Sequence, residues 1–191
     1  MIAEKEIPNA IKRLKLSRAF KGYNPSVLDC CEFSSEVRIM VVDDDYTHIS
    51  QHEEDFNRCC ICSNPNRHEL IILPLDKKLI KQRVGGIADG AAFDESKFAF
   101  LEFKDQAQGN TPDSIKGTYT KAISQLTNAL QLFDNKLKNI KIDFRTTINI
   151  VCHIIVSDKF PRASALEQNM MIDFAMTNKG VGLSFEREIA F

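Results

Sequence analysis

The chain has 191 residues, of which 43% are hydrophobic and 27% charged, and its formal net charge is -1. A length of this order suits one domain, here residues 1–191, that buries about 70% of its extended surface without a disulfide or metal staple. Such a composition excludes a long disordered tail, a collagen-like fibre and a uniformly basic nucleic-acid coat.

The charge is unevenly spread. Residues 1–22 hold six Lys/Arg against two acids, residues 29–58 hold two against nine, and residues 76–141 hold eleven against eight. A near-neutral sum therefore leaves a nucleic-acid substrate open. Met1 is followed by Ile-Ala-Glu-Lys-Glu, with no apolar signal-peptide core. The longest apolar stretch, Ile148 to Val156, is about half a membrane span and includes Asn149 and His153. The expectation is a soluble cytoplasmic protein, not bound to membrane, with its six cysteines reduced.

In chain order, Ile7–Phe20 places Ile7, Ile11, Leu14 and Arg18 on one stripe of an amphipathic helix that Gly22 and Asn24-Pro25 end. Val37–Val42 reads as a strand, Asp43-Asp44-Asp45 and the run to Asn57 as a turn and short helix, and Cys59–Asn66 as a loop. Leu70–Leu75 is a second apolar strand. Leu79–Phe93 reads as extended chain, with Gly85-Gly86 and Gly90 marking bulges or close backbone approach. Asp94–Lys97 is a turn and Phe98–Lys104 an apolar strand that ends in charge. Thr111-Pro112-Asp113 supplies an N-cap, a first-position Pro and a first-turn acid. In the helix it opens, Ile115, Tyr119, Ala122, Leu126, Ala129 and Phe133 recur at helical spacing. Thr146–Ser157 reads as a buried strand, Ser164 with Glu167 as a capping box, and Val181–Phe191 as a final alternating strand. The fold class that follows is α/β, a mixed sheet flanked by helices.

One strand end carries chemistry. Glu102 and Lys104 have even spacing, so they leave the strand on the same face. Asp94–Lys97 lacks the Asn-Gly of a two-residue hairpin, so a four-residue loop pairs Phe93 with Phe98, Ala91 with Phe100 and Asp89 with Glu102. Opposed residues have Cβ atoms roughly 4.5–5.5 Å apart, and two carboxylates so placed repel unless a cation lies between them. Oxygen ligands with open positions suit Mg²⁺ or Mn²⁺. A slip of one residue would put Asp89 on the other face.

Asp89, a hairpin, and then Glu102-Phe103-Lys104 resemble the PD-(D/E)XK nuclease superfamily, the fold of many restriction endonucleases. The element order from Leu79 to Ser157 is similar to that core, with the N-terminal helix as its first element and roughly residues 70–160 as its extent. Ala88 stands where the family often has Pro. The resemblance implies a restriction-endonuclease-like core and an Mg²⁺- or Mn²⁺-dependent hydrolase of phosphodiester bonds. It further implies DNA as substrate ahead of RNA, with Asp89, Glu102 and the backbone carbonyl of Phe103 as metal ligands and Lys104 positioning the attacking water. Some members add a Gln from the crossover helix, and Gln125 lies on the shoulder of the apolar stripe; Lys121 and Gln106 are further accessory candidates. A homodimer is compatible with the resemblance, since cutting two strands often uses two sites.

Blander readings stand beside this one. Glu-x-Lys at a strand end also describes an exposed ion pair worth little, and Asp89 before Gly90 also describes a turn. A non-catalytic interaction module or subunit could keep the same fold. Cys59-x-x-Cys62 with His68, completed by Cys30 or Cys31, suggests zinc, but structural zinc shows two compact ligand pairs and only one is clear. Cys152 and His153 read as core residues. The acidic triplet lacks EF-hand spacing, and no Gly-x-Gly-x-x-Gly or Walker lysine is present. Lys77, Lys78, Lys81 and Arg83, with Lys116 and Lys121 on the long helix, are the candidate contacts to a phosphate backbone; for any one of them a solvated face is an equal alternative.

Overall fold

A computed structural model describes residues 7–81 and 84–191. In chain order its elements are α1 (Asn9–Leu14), α2 (Leu16–Ala19), α3 (Val27–Cys30), β1 (Glu32–Ser34), β2 (Arg38–Asp43), β3 (Thr47–Ser50), a 3₁₀ turn at Glu53–Asn57, β4 (Cys60–Ser63) and β5 (Leu70–Pro74). There follow β6 (Gly90–Phe93), β7 (Lys97–Lys104), α4 (Pro112–Lys138), α5 (Phe144–Thr147), β8 (Asn149–Val156), α6 (Ser164–Thr177), β9 (Gly182–Ser184) and β10 (Glu188–Ala190).

The strands form two sheets, not one. A six-stranded sheet runs β1-β5-β6-β7-β8-β9, and a four-stranded sheet runs β10-β4-β2-β3. In the larger sheet β5, β6 and β7 form an antiparallel meander, whereas β8 lies parallel to β7. A parallel partner demands a crossover, and α4 with α5 provides it. β7 and β8 are buried on both faces, so their residues read as near-continuous apolar runs.

Alternation along these strands divides the core into two layers. Ile71, Leu73, Ala91, Phe93, Phe98, Phe100, Cys152 and Ile154 face the helices α1, α2, α4 and α6. Leu70, Ile72, Ala92, Ala99, Leu101, Phe103 and Ile155 face Ile39, Val41, Cys60, Cys62 and Ile189 of the smaller sheet. The larger sheet is thus the middle of three layers.

The long helix forms as its spacing predicts. Thr111 caps it reciprocally with Ser114, Pro112 sits in the first turn, and Ile115, Tyr119, Ala122, Leu126, Ala129, Phe133 and Leu137 are buried. Phe133 is the hub of the helix-side core, with ring centroids 4.9 Å from Phe20, 5.4 Å from Phe98, 5.1 Å from Phe100 and 5.8 Å from Phe144.

Several expectations change. The N-terminal helix breaks at Lys15, whose φ of 49° is left-handed, and Arg18 points to solvent while Leu16 and Ala19 continue the buried stripe. Half of Cys59–Asn66 is strand, because Cys60 and Cys62 alternate into the core between β2 and β10; the turn is confined to Pro65-Asn66, braced by the buried Asn64, whose side chain bonds His68 in both directions. Among the described residues of Leu79–Phe93, Gly90–Phe93 forms a strand, Ile80 makes an isolated bridge to Asp76, and the rest is turn or coil. Thr146 and Thr147 belong to a short helix ahead of β8. Ser164 does not cap α6, since Glu167 is turned inward to Tyr119 and Arg162. The final strand splits into β9 and β10, which serve different sheets.

Phe133→Ala removes the ring on which four aromatic contacts converge. It should cost about 3–5 kcal/mol of unfolding free energy, read as a lower denaturation midpoint with an unchanged m value.

Candidate functional site

The hairpin between β6 and β7 delivers the first two side chains. Asp94 is buried, and its Oδ1 accepts from Ser96 N at 2.7 Å, Ser96 Oγ at 2.9 Å and Lys97 N at 2.8 Å, which holds a tight turn without glycine. Phe93 pairs with Phe98, Ala91 with Phe100 and Gly90 with Leu101. This is the register expected from the sequence, and Asp89 follows one residue beyond the last pair. The Asp89 carbonyl accepts from Leu75 N at 2.8 Å, and its carboxylate Oδ2 accepts from Phe103 N at 2.6 Å. The aspartate is thereby docked against the Glu102-Phe103-Lys104 segment. The Phe103 ring lies in the core beneath the smaller sheet, so only its main chain faces this point.

Glu102 is 0% exposed. Its Oε1 accepts a charge-assisted hydrogen bond from Lys104 Nζ, while Oε2 is buried with no partner. Lys104 Nζ also donates to Gln125 Oε1 at 3.2 Å, and Gln125 Nε2 donates to the Ile87 carbonyl at 3.2 Å. Four of the residues singled out from sequence, Asp89, Glu102, Lys104 and Gln125, are therefore brought together at the C-terminal end of β7.

Glu167 shows how a buried carboxylate is normally satisfied. It accepts from Tyr119 Oη at 2.6 Å and from Arg162 Nε and Nη2 at 2.7 and 2.9 Å. Burial opposes ionisation, but the hydrogen bonds from Arg162 and Tyr119 outweigh it and hold the carboxyl below its usual range. Glu102 goes the other way. Burial first, and the neighbouring Asp89 second, push it well above the ordinary range despite Lys104. Asp89 is raised to about 7, by burial first and then by Asp43, against the hydrogen bond from Phe103.

Asp43 and Asp76 are members of this cluster that the sequence reading did not assign. Thr47 Oγ1 donates to Asp43 Oδ1 at 3.0 Å, and Asp76 N donates to the Asp89 carbonyl at 3.2 Å. Thr47 also explains Gly90. A Cβ on Gly90 would lie 2.6–2.7 Å from the Thr47 side chain, so only glycine lets the β2–β3 hairpin approach here. Behind them, Arg58 is shared among Asp44 at 2.6 Å, Asp55 at 2.6 Å and Asp105 at 3.4 Å. Nothing local in the sequence marks Asp43 as a charge that acts on Asp89, because it is carried by a strand of the other sheet.

Among the described residues, no three His, Cys, Asp or Glu side chains form a ready-made metal cage. The unpartnered Glu102 Oε2 beside Asp89 does fit a cation held by two carboxylates and a main-chain oxygen. The sulfur candidates are not brought together. Cys60 and Cys62 face the core between the sheets, Cys59 packs with Val42 and Ile61 on the opposite side of β4, Cys30 lies in the helix-side core, and His68 is exposed. Cys152 and His153 are buried core residues, His153 Nδ1 lying 3.0 Å from the Glu186 carbonyl.

Lys77, Lys81, Lys116 and Lys121 are exposed, Lys121 one helical turn before Gln125, and Gln106 is exposed just past β7. Lys78 instead sits over the Tyr46 ring, 3.5 Å from its centroid. Arg83 lies outside the described residues. A hollow of about 460 Å³ lined by Gln108, Asn110, Ser157 and Lys159 opens past the ends of β7 and β8, the same end of the sheet as the carboxylates. Among the described residues no helix is long and apolar enough to cross a membrane.

Both raised carboxyl groups bind protons more tightly folded than unfolded. Their contribution to stability is complete below the ordinary carboxylate range and is lost as pH rises, for Asp89 through about 7. The melting temperature of metal-free protein should therefore fall between about pH 4 and 7, and Asp89→Asn should flatten that slope.

Comparison with known proteins finds no matching family model, no matching curated protein and no matching solved structure.

Proposed function

We propose that this protein is a metal-dependent nuclease that hydrolyses phosphodiester bonds in DNA, with Asp89, Glu102 and Lys104 as its working side chains. The observation that carries the reading is the buried Glu102 with one unpartnered oxygen, set beside a second protonation-prone carboxylate and a lysine. Its setting supports the same reading. A β5-β6-β7 meander, the α4 crossover and the parallel β8, with Asp89 before the second strand and Glu-x-Lys ending the third, resemble the PD-(D/E)XK core.

Mg²⁺ or Mn²⁺ would be held by Asp89, Glu102 and the Phe103 carbonyl, and when bound would acidify a water and offset charge on the phosphoryl oxygens. The protein's own part is positional. Phe103 N–H fixes the Asp89 carboxylate, and Gln125 holds Lys104 beside Glu102, where its ammonium can orient a water or contact a phosphate oxygen. The exposed Lys81, Lys116 and Lys121 offer charge for a phosphate backbone, with RNA as the lesser substrate and a second copy of the chain as partner for double-strand cutting.

A second reading, a non-catalytic interaction module, has one observation in its favour. Lys104 already pairs with one oxygen of Glu102 and Phe103 N–H already donates to one oxygen of Asp89, so each acid has a partner within the protein without a cation.

Incubation of linear and circular DNA, and of RNA, with Mg²⁺ or Mn²⁺ and then EDTA separates the two. Cleavage of DNA should require the ion and should fall by about a hundredfold or more in Glu102→Ala, the scale of losing one preorganised electrostatic group. Activity surviving both EDTA and the substitution would exclude the assignment, and inactivity on every nucleic acid would favour the interaction module. Independently, millimolar Mn²⁺ should raise the melting temperature more at pH 8 than at pH 5, because a cation binds the ionised carboxylates and competes with their protons.

A further inference from the structure

The turn that leads into Asp89 is gripped from one side by two amides of α4. Gly85 and Gly86 are both left-handed, with φ of 83° and 74°, and this pair of conformations turns three successive carbonyls towards the helix. Asn128 Nδ2 donates to the Gly85 carbonyl at 3.2 Å and to the Gly86 carbonyl at 3.0 Å. One turn earlier, Gln125 Nε2 donates to the Ile87 carbonyl at 3.2 Å. The fit is close on both sides, since a Cβ on Gly85 would lie 3.3 Å from Asn128 Nδ2 and one on Gly86 would lie 3.2 Å from Gln125 Cγ.

The orientation of each amide is set by its partners. Reversing Asn128 would turn its oxygen on two carbonyls, and reversing Gln125 would put its oxygen on the Ile87 carbonyl and its NH₂ on Lys104. After this grip come Ile87 and Ala88, both 0% exposed, and then Asp89. Little slack remains between the clamp and the carboxylate.

We infer that Asn128 is a positioning residue of the candidate cation site, acting through the Gly85–Gly86 turn to hold Asp89 in register with Glu102. Gln125 joins the same clamp to Lys104, so α4 sets the carboxylate and the lysine from one rigid element. Asn128 touches neither and is not a catalytic residue. The inference rests on the cation reading above.

The test is Mn²⁺ binding followed by electron paramagnetic resonance, without nucleic acid, on the full chain and on Asn128→Ala, Gly86→Ala and the control Gln131→Ala, an exposed position one turn further along α4. Asn128→Ala and Gly86→Ala should weaken Mn²⁺ by about tenfold or more, the range for losing an outer partner of a metal ligand, while Gln131→Ala leaves it unchanged. The metal-free melting temperature of Asn128→Ala should fall by no more than about 5 °C. Unchanged affinity in Asn128→Ala overturns the inference while leaving the cation reading in place, as does a loss that only tracks unfolding. If Asn128→Ala does not fold, Asn128→Leu, closer in volume, carries the same comparison. Wild-type protein that binds no Mn²⁺ at millimolar concentration overturns both.

Discussion

Burying Glu102 places a demand on the protein that its surroundings only half meet. Removing a carboxylate from water costs several kcal/mol unless both oxygens find partners, and Glu102 finds one ammonium. Glu167, also buried, receives three donors that hold its carboxyl below the usual range. The difference between these two glutamates lies in the number of donors that reach them. Around Glu167 the structure completes a lock between α4, the 157–163 segment and α6. Around Glu102 it leaves an oxygen open and brings up a second acid where stability alone would call for another donor.

The remaining architecture serves that arrangement. β7 and β8 run parallel, so the chain must return along a helix, and α4 crosses the face on which Glu102 and Lys104 project. Its apolar stripe closes the aromatic core through Phe133, and its polar shoulder reaches the strand end through Gln125 and the Gly85–Gly86 turn through Asn128. One rotation of the helix about its axis would disturb both together. Packing of the rings therefore also keeps the amides in place.

Much of this could be read in the sequence, for reasons that are local. The β6–β7 register follows from a four-residue turn whose Asp94 does its own hydrogen bonding, and alternation then carries Asp89 and Glu102 to one face. α4 announces itself by period and by its Thr111-Pro112 start. The glycines at 85, 86 and 90 mark close approach in both cases, but which side chains approach is not written nearby. What stays illegible is what depends on distant partners. β4 looks like a loop because its four residues are too short to show a pattern, and become strand only between β2 and β10. Ser164 and Glu167 match a capping box, yet Tyr119 and Arg162 outbid the helix end for the glutamate. Asp43 reads as part of an acidic turn until the second sheet docks.

The Thr47–Gly90 contact is where that docking reaches the segment that carries Asp89. The meander and its helix are built from neighbouring stretches of chain, whereas Asp43 belongs to the back sheet and is brought towards Asp89 by the packing of one sheet on the other. The proton affinity of Asp89, which Asp43 helps to set, is then a property of the finished protein and not of any half of it. A chain with its back sheet undocked would lack Asp43 beside Asp89, so the proton affinity of that carboxyl depends on the packing of one sheet against the other.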